Sequence, residues 1–417
     1  MGTLLGLLSG ALVLLYSIPL ENSWPWLPIG MVLAAVLLFL INQWTHVTGW
    51  RSLVEAAEEG TAYLFDVVKK DPLQWFANLY LTFFPLLTLL ILLFFFLPTA
   101  LTHNQWVAVW LVGLGIGLDL LYSSSRQYLK FLNPFHLLEQ LTRTANHDVE
   151  NNKELELCNT IEAISEIAVK GVDNTNIGLP NEALDQLQQI SRNFLHSSQR
   201  LGHPTSDQAL GIADKITYTL YFLYQRIELI FQKALDQHLE PVCSAVITTL
   251  GKIAYHAAKF DISLSADPFH LIGRLAKKAQ LEKMPDVGVK ASITLLEVAK
   301  LVLDEVDVTY QELRDPFLVL VNDLHEIAKE GYRQDKEIDL ELLRQPFRQI
   351  KELFATEKLL NHPDTPVIIA KADQALAEFD ALELILKTVP PLPVLEEGEK
   401  NLKDGPKGQE TKETKRT

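Results

Sequence analysis

Apolar residues run almost unbroken over four stretches near the start of the chain, approximately 3–20, 25–43, 76–97 and 105–122. Each is close to the roughly 20 helical residues needed to cross a hydrocarbon core about 30 Å thick. From about Asn133 to Lys387 the pattern changes. Ile161, Ile164, Ile167, Ala168 and Val172, and again Ile216, Leu220, Leu223, Ile227, Ile230 and Phe231, recur at the three- and four-residue steps of an amphipathic helix. No sustained two-residue alternation bounded by hairpin turns interrupts them, so the expected fold class is all-α. The pattern divides the chain into a four-helix transmembrane module in residues 1–124, a cytoplasmic all-helical domain in 125–389 and a disordered polar tail in 390–417.

The first apolar stretch is read as a retained span. No Lys or Arg precedes it, and Ile18-Pro19-Leu20-Glu21 offers no small-x-small cleavage pattern. The connections then set an orientation. Glu21 to Trp24 and Pro98 to Asn104 contain no Lys or Arg, whereas the long connection 45–74 carries Arg51, Lys69 and Lys70, and Arg126, Lys130 and Arg143 follow the fourth span. The positive-inside rule therefore puts both termini in the cytoplasm of a chain that passes through the membrane several times. Within the connection, Trp50, Leu53, Val54 and Ala57, then Thr61, Leu64, Phe65 and Val68, form an amphipathic pattern. Its acids at 55, 58, 59 and 66 favour docking on protein over lying on lipid.

Prolines punctuate the helical domain. Asn133-Pro134-Phe135, Asp267-Pro268-Phe269 and Asp315-Pro316-Phe317 each place a capping acceptor before a proline, which predicts a helix start, and Gln345-Pro346-Phe347 is a weaker copy and an expected break. Ser244-Ala-Val-Ile-Thr-Thr-Leu and Lys290-Ala-Ser-Ile-Thr-Leu-Leu align with an offset of 46 residues. A helix pair of that length, repeated, resembles the HEAT and armadillo repeats of α-solenoids, and the resemblance implies a degenerate stack of helix pairs. The spacing of the Pro-Phe copies is irregular, at 134, 48 and 30 residues, which leaves an irregular helical bundle as the other architecture.

Charge and composition sharpen this division. The net charge of −15 splits into −4 over residues 1–124 and −11 over the rest, and all seven tryptophans fall in the first part. An acidic domain without a basic stripe argues against nucleic-acid binding. Cys158 and Cys243 are too few for a disulfide framework and lie in apolar helical patterns, as free thiols in a reducing compartment do. The tail from Glu396 to Arg416 holds six acids and six bases, a neutral and solvated composition.

Candidate chemistry is sparse. Gly2, Gly6 and Gly10, and Gly113 and Gly117 with Gly115 between, mark close helix packing in the membrane and a possible route to homo-oligomers. Asp119 is the one acid inside a span and a candidate intramembrane polar site, with an interfacial acid as the plainer reading. Tyr218, Tyr221, Phe222 and Tyr224 form an aromatic run that offers a surface for a partner helix or the bilayer, with core packing as the alternative. His136 and His270 occupy matching Pro-Phe-His-Leu positions, and His256 lies near Cys243 and Asp261, but no zinc-protease, Cys-x-x-Cys, phosphate-loop or nucleophile-elbow motif is present. No catalysis, cofactor or metal is expected.

The order of parts, with Ile167-Ala-Val-Lys-Gly-Val-Asp-Asn-Thr-Asn-Ile, resembles an uncharacterised bacterial family of predicted polytopic membrane proteins, from which this chain departs at Leu179-Pro180-Asn181-Glu182. The resemblance implies no activity and assigns no residue a role. The expected function is a docking or scaffold surface carried on a membrane anchor, in contact with lipid and with a protein partner on the cytoplasmic side. The alternative is a transport or channel component regulated by its helical domain.

Overall fold

The computed structural model describes residues 2–15, 26–58, 72–96, 102–131, 133–200 and 206–388. Their regular structure is entirely helical: α1 (Gly2–Leu15), α2 (Trp26–Glu58), α3 (Pro72–Phe96), α4 (His103–Phe131), α5 (Pro134–Glu150), α6 (Glu154–Asp173), α7 (Gly178–Arg200), α8 (Ser206–Asp236), α9 (Glu240–Phe260), a 3-10 turn (Ile262–Ser265), α10 (Ala266–Leu281), α11 (Pro285–Glu305), α12 (Arg314–Gln334), α13 (Leu340–Phe354) and α14 (Thr365–Thr388).

Three of these helices are long and apolar enough to cross a membrane, over Trp26–Gly49, Gln74–Phe94 and His103–Gln127. The described part of the first expected span, Gly2–Leu14, is shorter, and residues 16–20 lie outside the described residues. Met31, Ala35 and Leu38 of α2 meet Leu81, Phe84 and Ile91 of α3 and Trp110 of α4 in a small core. Inside it, the Trp110 indole donates to the Thr88 hydroxyl at 3.1 Å. Leucines 33, 40, 86 and 93 point away from that core and are exposed, which in these helices is the face hydrocarbon would cover. The second helix does not stop near 43. It continues through Thr45 and Thr48, whose hydroxyls return to the carbonyls of Ile41 and Trp44, as far as Glu58. Residues 59–71, which hold the second half of the expected amphipathic connection, and the tail from 389 lie outside the described residues.

From α5 onward the helices form two layers. α5, α7, α9, α11 and α13 stack in one and α6, α8, α10, α12 and α14 in the other, each helix against the one two places earlier in the chain. A continuous apolar core runs between the layers from Leu137 to Phe379. This is a helical-repeat array, and its layering explains the irregular spacing of the Pro-Phe copies. The 46-residue offset joins α9 to α11 and the 48-residue spacing joins α10 to α12, and both pairs are neighbours within a layer. The copies at Pro134 and Pro346 belong to the opposite layer from Pro268 and Pro316, so they are not in register with them.

Two local expectations need correction. Asn133 caps α5 as predicted, accepting from the N–H of Phe135. Asp267 and Asp315, however, lie inside the first turns of their helices, which begin at Ala266 and Arg314. Pro346 does not break a helix. The Asp339 carboxylate accepts from the N–H of Glu341 and starts α13 six residues before the proline, and burial of Leu343, Phe347, Ile350 and Phe354 on one face holds the helix through it.

Four turns in the array share one device that carries no glycine. Asn152, Thr175, His238 and Lys283 each adopt a positive φ of 52–62° just past the ends of α5, α6, α8 and α10. The N–H groups that follow fold back on the last helical carbonyls, as with Lys153 to Asp148 and Met284 to Ala279 at 2.9 Å.

Candidate functional site

The aromatic run on α8 splits by helical angle. Tyr218 and Tyr221 are 62% and 59% exposed, Phe222 is half-buried with the Arg226 guanidinium 4.9 Å over its ring, and Tyr224 is buried with its hydroxyl unpartnered. Burial and the nearby Asp267 carboxylate push the Tyr224 phenol far above its ordinary range, so it stays neutral. Lys215, one turn before Tyr218, bridges to Glu154 in the first turn of α6 at 2.7 Å. The result is a pair of solvent-facing phenols on α8, which packs against α6.

A ladder of charge pairs accompanies it along the same layer. Arg226 of α8 reaches Glu162 of α6; Glu228 of α8 takes Arg274 of α10 at 2.7 Å; Lys277 of α10 takes Glu326 of α12 at 2.8 Å; and Lys329 of α12 takes Glu378 of α14 at 2.9 Å. Each exposed rung adds at most about 1 kcal/mol. Their regular repetition shows which basic residues are already engaged within the domain and leaves its acidic excess facing outward.

Asp323 of α12 lies on the same stack, packed against Gly273 of α10, where a Cβ would fall 2.4 Å from its side chain. Burial raises its carboxyl to about 6, opposed by His270 at 3.4 Å, and Glu326 adds to the rise. The folded chain therefore keeps this proton up to about pH 6, while the unfolded chain releases it near 3.8. Stability from this group is fully present below pH 4 and falls as pH rises towards 6. Asp323→Asn is expected to raise the unfolding free energy at pH 7.5 by about 2 kcal/mol and to leave it nearly unchanged at pH 4, read from urea unfolding of the full chain by circular dichroism.

In the apolar module the glycines have specific partners within the chain. Gly2, Gly6 and Gly10 of α1 lie against Gly115, Leu111 and Ala108 of α4, so the two helices run antiparallel with backbones in contact. Gly113 and Gly117 face a different way, towards Phe84 and Tyr80 of α3 and Leu38 of α2, and the Tyr80 hydroxyl donates to the carbonyl of Gly113 at 2.8 Å. Asp119 is engaged with the start of α1. Its carboxylate accepts the N–H groups of Gly2 at 2.7 Å and Thr3 at 2.8 Å, and the Thr3 hydroxyl, as an acid at a helix N-terminus should.

A polar seam between α2 and α3 is a feature that the hydropathy pattern did not single out. Asn42 and Gln74 are buried with amide atoms unpartnered, and the Asn78 amide meets the His46 ring at 3.4 Å. The available signal was the four-residue spacing of Asn42 with His46 and of Gln74 with Asn78, which places each pair on one face of its helix.

Other candidates stay apart. His136 lies on α5 and His270 on α10, in opposite layers, and no group of three or more His, Cys, Asp or Glu side chains able to hold a metal occurs among the described residues. His256 meets the Gln188 amide at 3.3 Å, and Asp261 accepts from the N–H of Ser263, closing the 3-10 turn. Both cysteines are buried free thiols; burial raises Cys158 and pushes Cys243 up to about 12, leaving neither as a ready nucleophile.

No family model and no curated protein matches the chain. Among solved structures it is similar, at 15% identity and a TM-score of 0.39 over 85% of this chain and 87% of the other, to a "Circular tandem repeat protein with novel repeat topology and enhanced subunit contact surfaces".

Proposed function

We propose that this chain is a membrane-anchored docking protein without catalytic activity. In this reading α2 to α4, with α1 packed on α4, hold it in a bacterial inner membrane with both termini in the cytoplasm, and the helical-repeat array presents the α8 face to a protein partner. The observation that carries the reading is the exposure of two phenols, Tyr218 and Tyr221, one turn apart on α8. Tyrosine gives a large amphipathic contact area at low entropic cost, which suits it to the centre of an interface. The acidic excess keeps the array from adhering to an anionic bilayer surface while it is tethered beside one.

The test places a photo-crosslinking amino acid at 218 or 221 in the full chain within native membranes, with Tyr310, 96% exposed and remote on the α11–α12 connection, as the control position. A discrete protein adduct at 218 and 221 that is absent at 310, and that weakens when the other tyrosine is changed to serine, is the expected result. Equal labelling at all three positions overturns the docking reading. Solute or ion flux through reconstituted vesicles that stops with Asp119→Asn supports the transport alternative instead.

A further inference from the structure

The stack is not uniformly closed. In the layer of α5, α7, α9, α11 and α13, each helix lies along its neighbour except the last pair, where α13 touches α11 only locally. The gap is a cavity of about 850 Å³ floored by α12, within the range of small-molecule sites and far larger than a packing defect. Two sequence features hold it open. Pro346 lines the cavity on α13 and, having no N–H, deprives the Leu342 carbonyl of its helical partner. Small residues at Gly288, Ala328 and Gly331 strip side chains from the walls of α11 and α12.

The cavity is polarised along its length. Ile293 and Leu296 on α11 with Leu324 on α12 give one stretch of the wall an aliphatic surface, on a lining that also includes Ser292 of α11 and Gln345 and Gln349 of α13. Some 11 residues back along α11, about 16 Å at 1.5 Å per residue, the other end is formed by Gln280, Lys283, Gln334 and Asp335. Gln280 is the informative group. It is 5% exposed; its amide donates to the carbonyl of Ile327 at 3.2 Å, while its Oε1 is buried with no donor. A desolvated acceptor left unpaired costs about 1–3 kcal/mol, which a ligand carrying a donor recovers. A Cβ at Gly288 would fall 2.5 Å from the Gln280 amide nitrogen, so a larger residue there displaces the Gln280 side chain.

The geometry points to a binding site for a single-chain amphiphile, with its aliphatic chain along Ile293, Leu296 and Leu324 and a hydroxyl-bearing head donating to Gln280 Oε1. The chain fits the aliphatic stretch because Ile293, Leu296 and Leu324 follow one another along it, and the head fits the other end because the unpaired, buried Gln280 acceptor lies there. This site is separate from the α8 face and stands or falls without it.

The experiment uses the full chain in lipid nanodiscs and a diazirine-tailed dodecanol as photoprobe, with adducts mapped by peptide. Labelling should fall on the walls around Ile293, Leu296 and Leu324, and dodecanol should compete about ten-fold better than methyl dodecyl ether, which has no donor, the ratio expected of one hydrogen bond. Gln280→Leu should retain labelling and erase that ten-fold preference. Ala328→Trp fills the floor and should abolish labelling; Val289→Tyr, at an exposed wall position, gives the same readout without burden on the core. Adducts confined to residues 2–131, equal competition by alcohol and ether, or labelling untouched by both blocking variants overturns the site. Displacement of the probe by a synthetic peptide of residues 389–417, or its loss as protein concentration rises, also overturns it and assigns the cavity to the tail or to a second copy.

Discussion

Phe317→Ala and Phe269→Ala are each expected to lower the unfolding free energy of the array by about 3–5 kcal/mol, while Phe135→Ala lowers it by less than about 1 kcal/mol. The three phenylalanines follow the same Asn/Asp-Pro dipeptide at a helix start, and a reading from sequence gives them one role. Phe269 and Phe317 sit in consecutive helices of one layer and are fully buried, Phe317 edge-on to Phe354 at 5.0 Å. Phe135 opens the array on α5, with no earlier repeat helix to cover it, and is 45% exposed. Truncating the first two leaves cavities that a rigid stack cannot collapse; truncating the third leaves a shallow surface notch. Urea unfolding of the full chain followed by circular dichroism separates the cases, and equal losses at all three positions would contradict the layering.

Gly115→Leu is expected to detach α1 from α4. A Cβ at this position falls 2.4 Å from the Gly2 carbonyl oxygen, 3.0 Å from its carbon and 3.1 Å from the Gly6 Cα. All three obstacles are backbone, so no rotamer change relieves them and the helices must part. Parting also withdraws Asp119 from the first N–H groups of α1. The combined loss is about 3 kcal/mol or more. Gly30→Leu is the matched control, because nothing lies within 4 Å of its Cβ position. All seven tryptophans belong to residues 1–124, so the thermal transition of intrinsic fluorescence in nanodiscs reports this module alone. It should move down by several degrees for Gly115→Leu and stay in place for Gly30→Leu.

Much of the candidate site was legible at the level of residue type and not of direction. The aromatic run on α8 is plain in the sequence, but only the packing of α8 on α6 and α10 decides that Tyr218 and Tyr221 face out while Tyr224 faces in. Asp119 stood out as an intramembrane acid; its engagement with Gly2 and Thr3, more than 110 residues earlier, has no local signature. Helix ends were partly hidden because Asn152, Thr175, His238 and Lys283 take a backbone conformation usually given to glycine. Pro346 misled in the other direction, since the cap at Asp339 and the burial of Phe347 and Phe354 outweigh the one hydrogen bond the proline removes.

The sequence by itself determined the quantities that depend on neighbours along the chain. These are the division between apolar helices that hold every tryptophan and an acidic helical domain that holds none, the three- and four-residue periodicity, and a repeat length of 46 to 48 residues. Helical period and hydrophobic run length are short-range properties, so a single chain displays them. Only the tertiary structure decided the rest: which Pro-Phe copies are in register, which glycine meets which helix, and where the stack stays open between α11 and α13. Those depend on contacts between residues tens to more than a hundred positions apart, which chain-local pattern cannot encode because each helix has several faces of similar apolar character and packing alone selects among them.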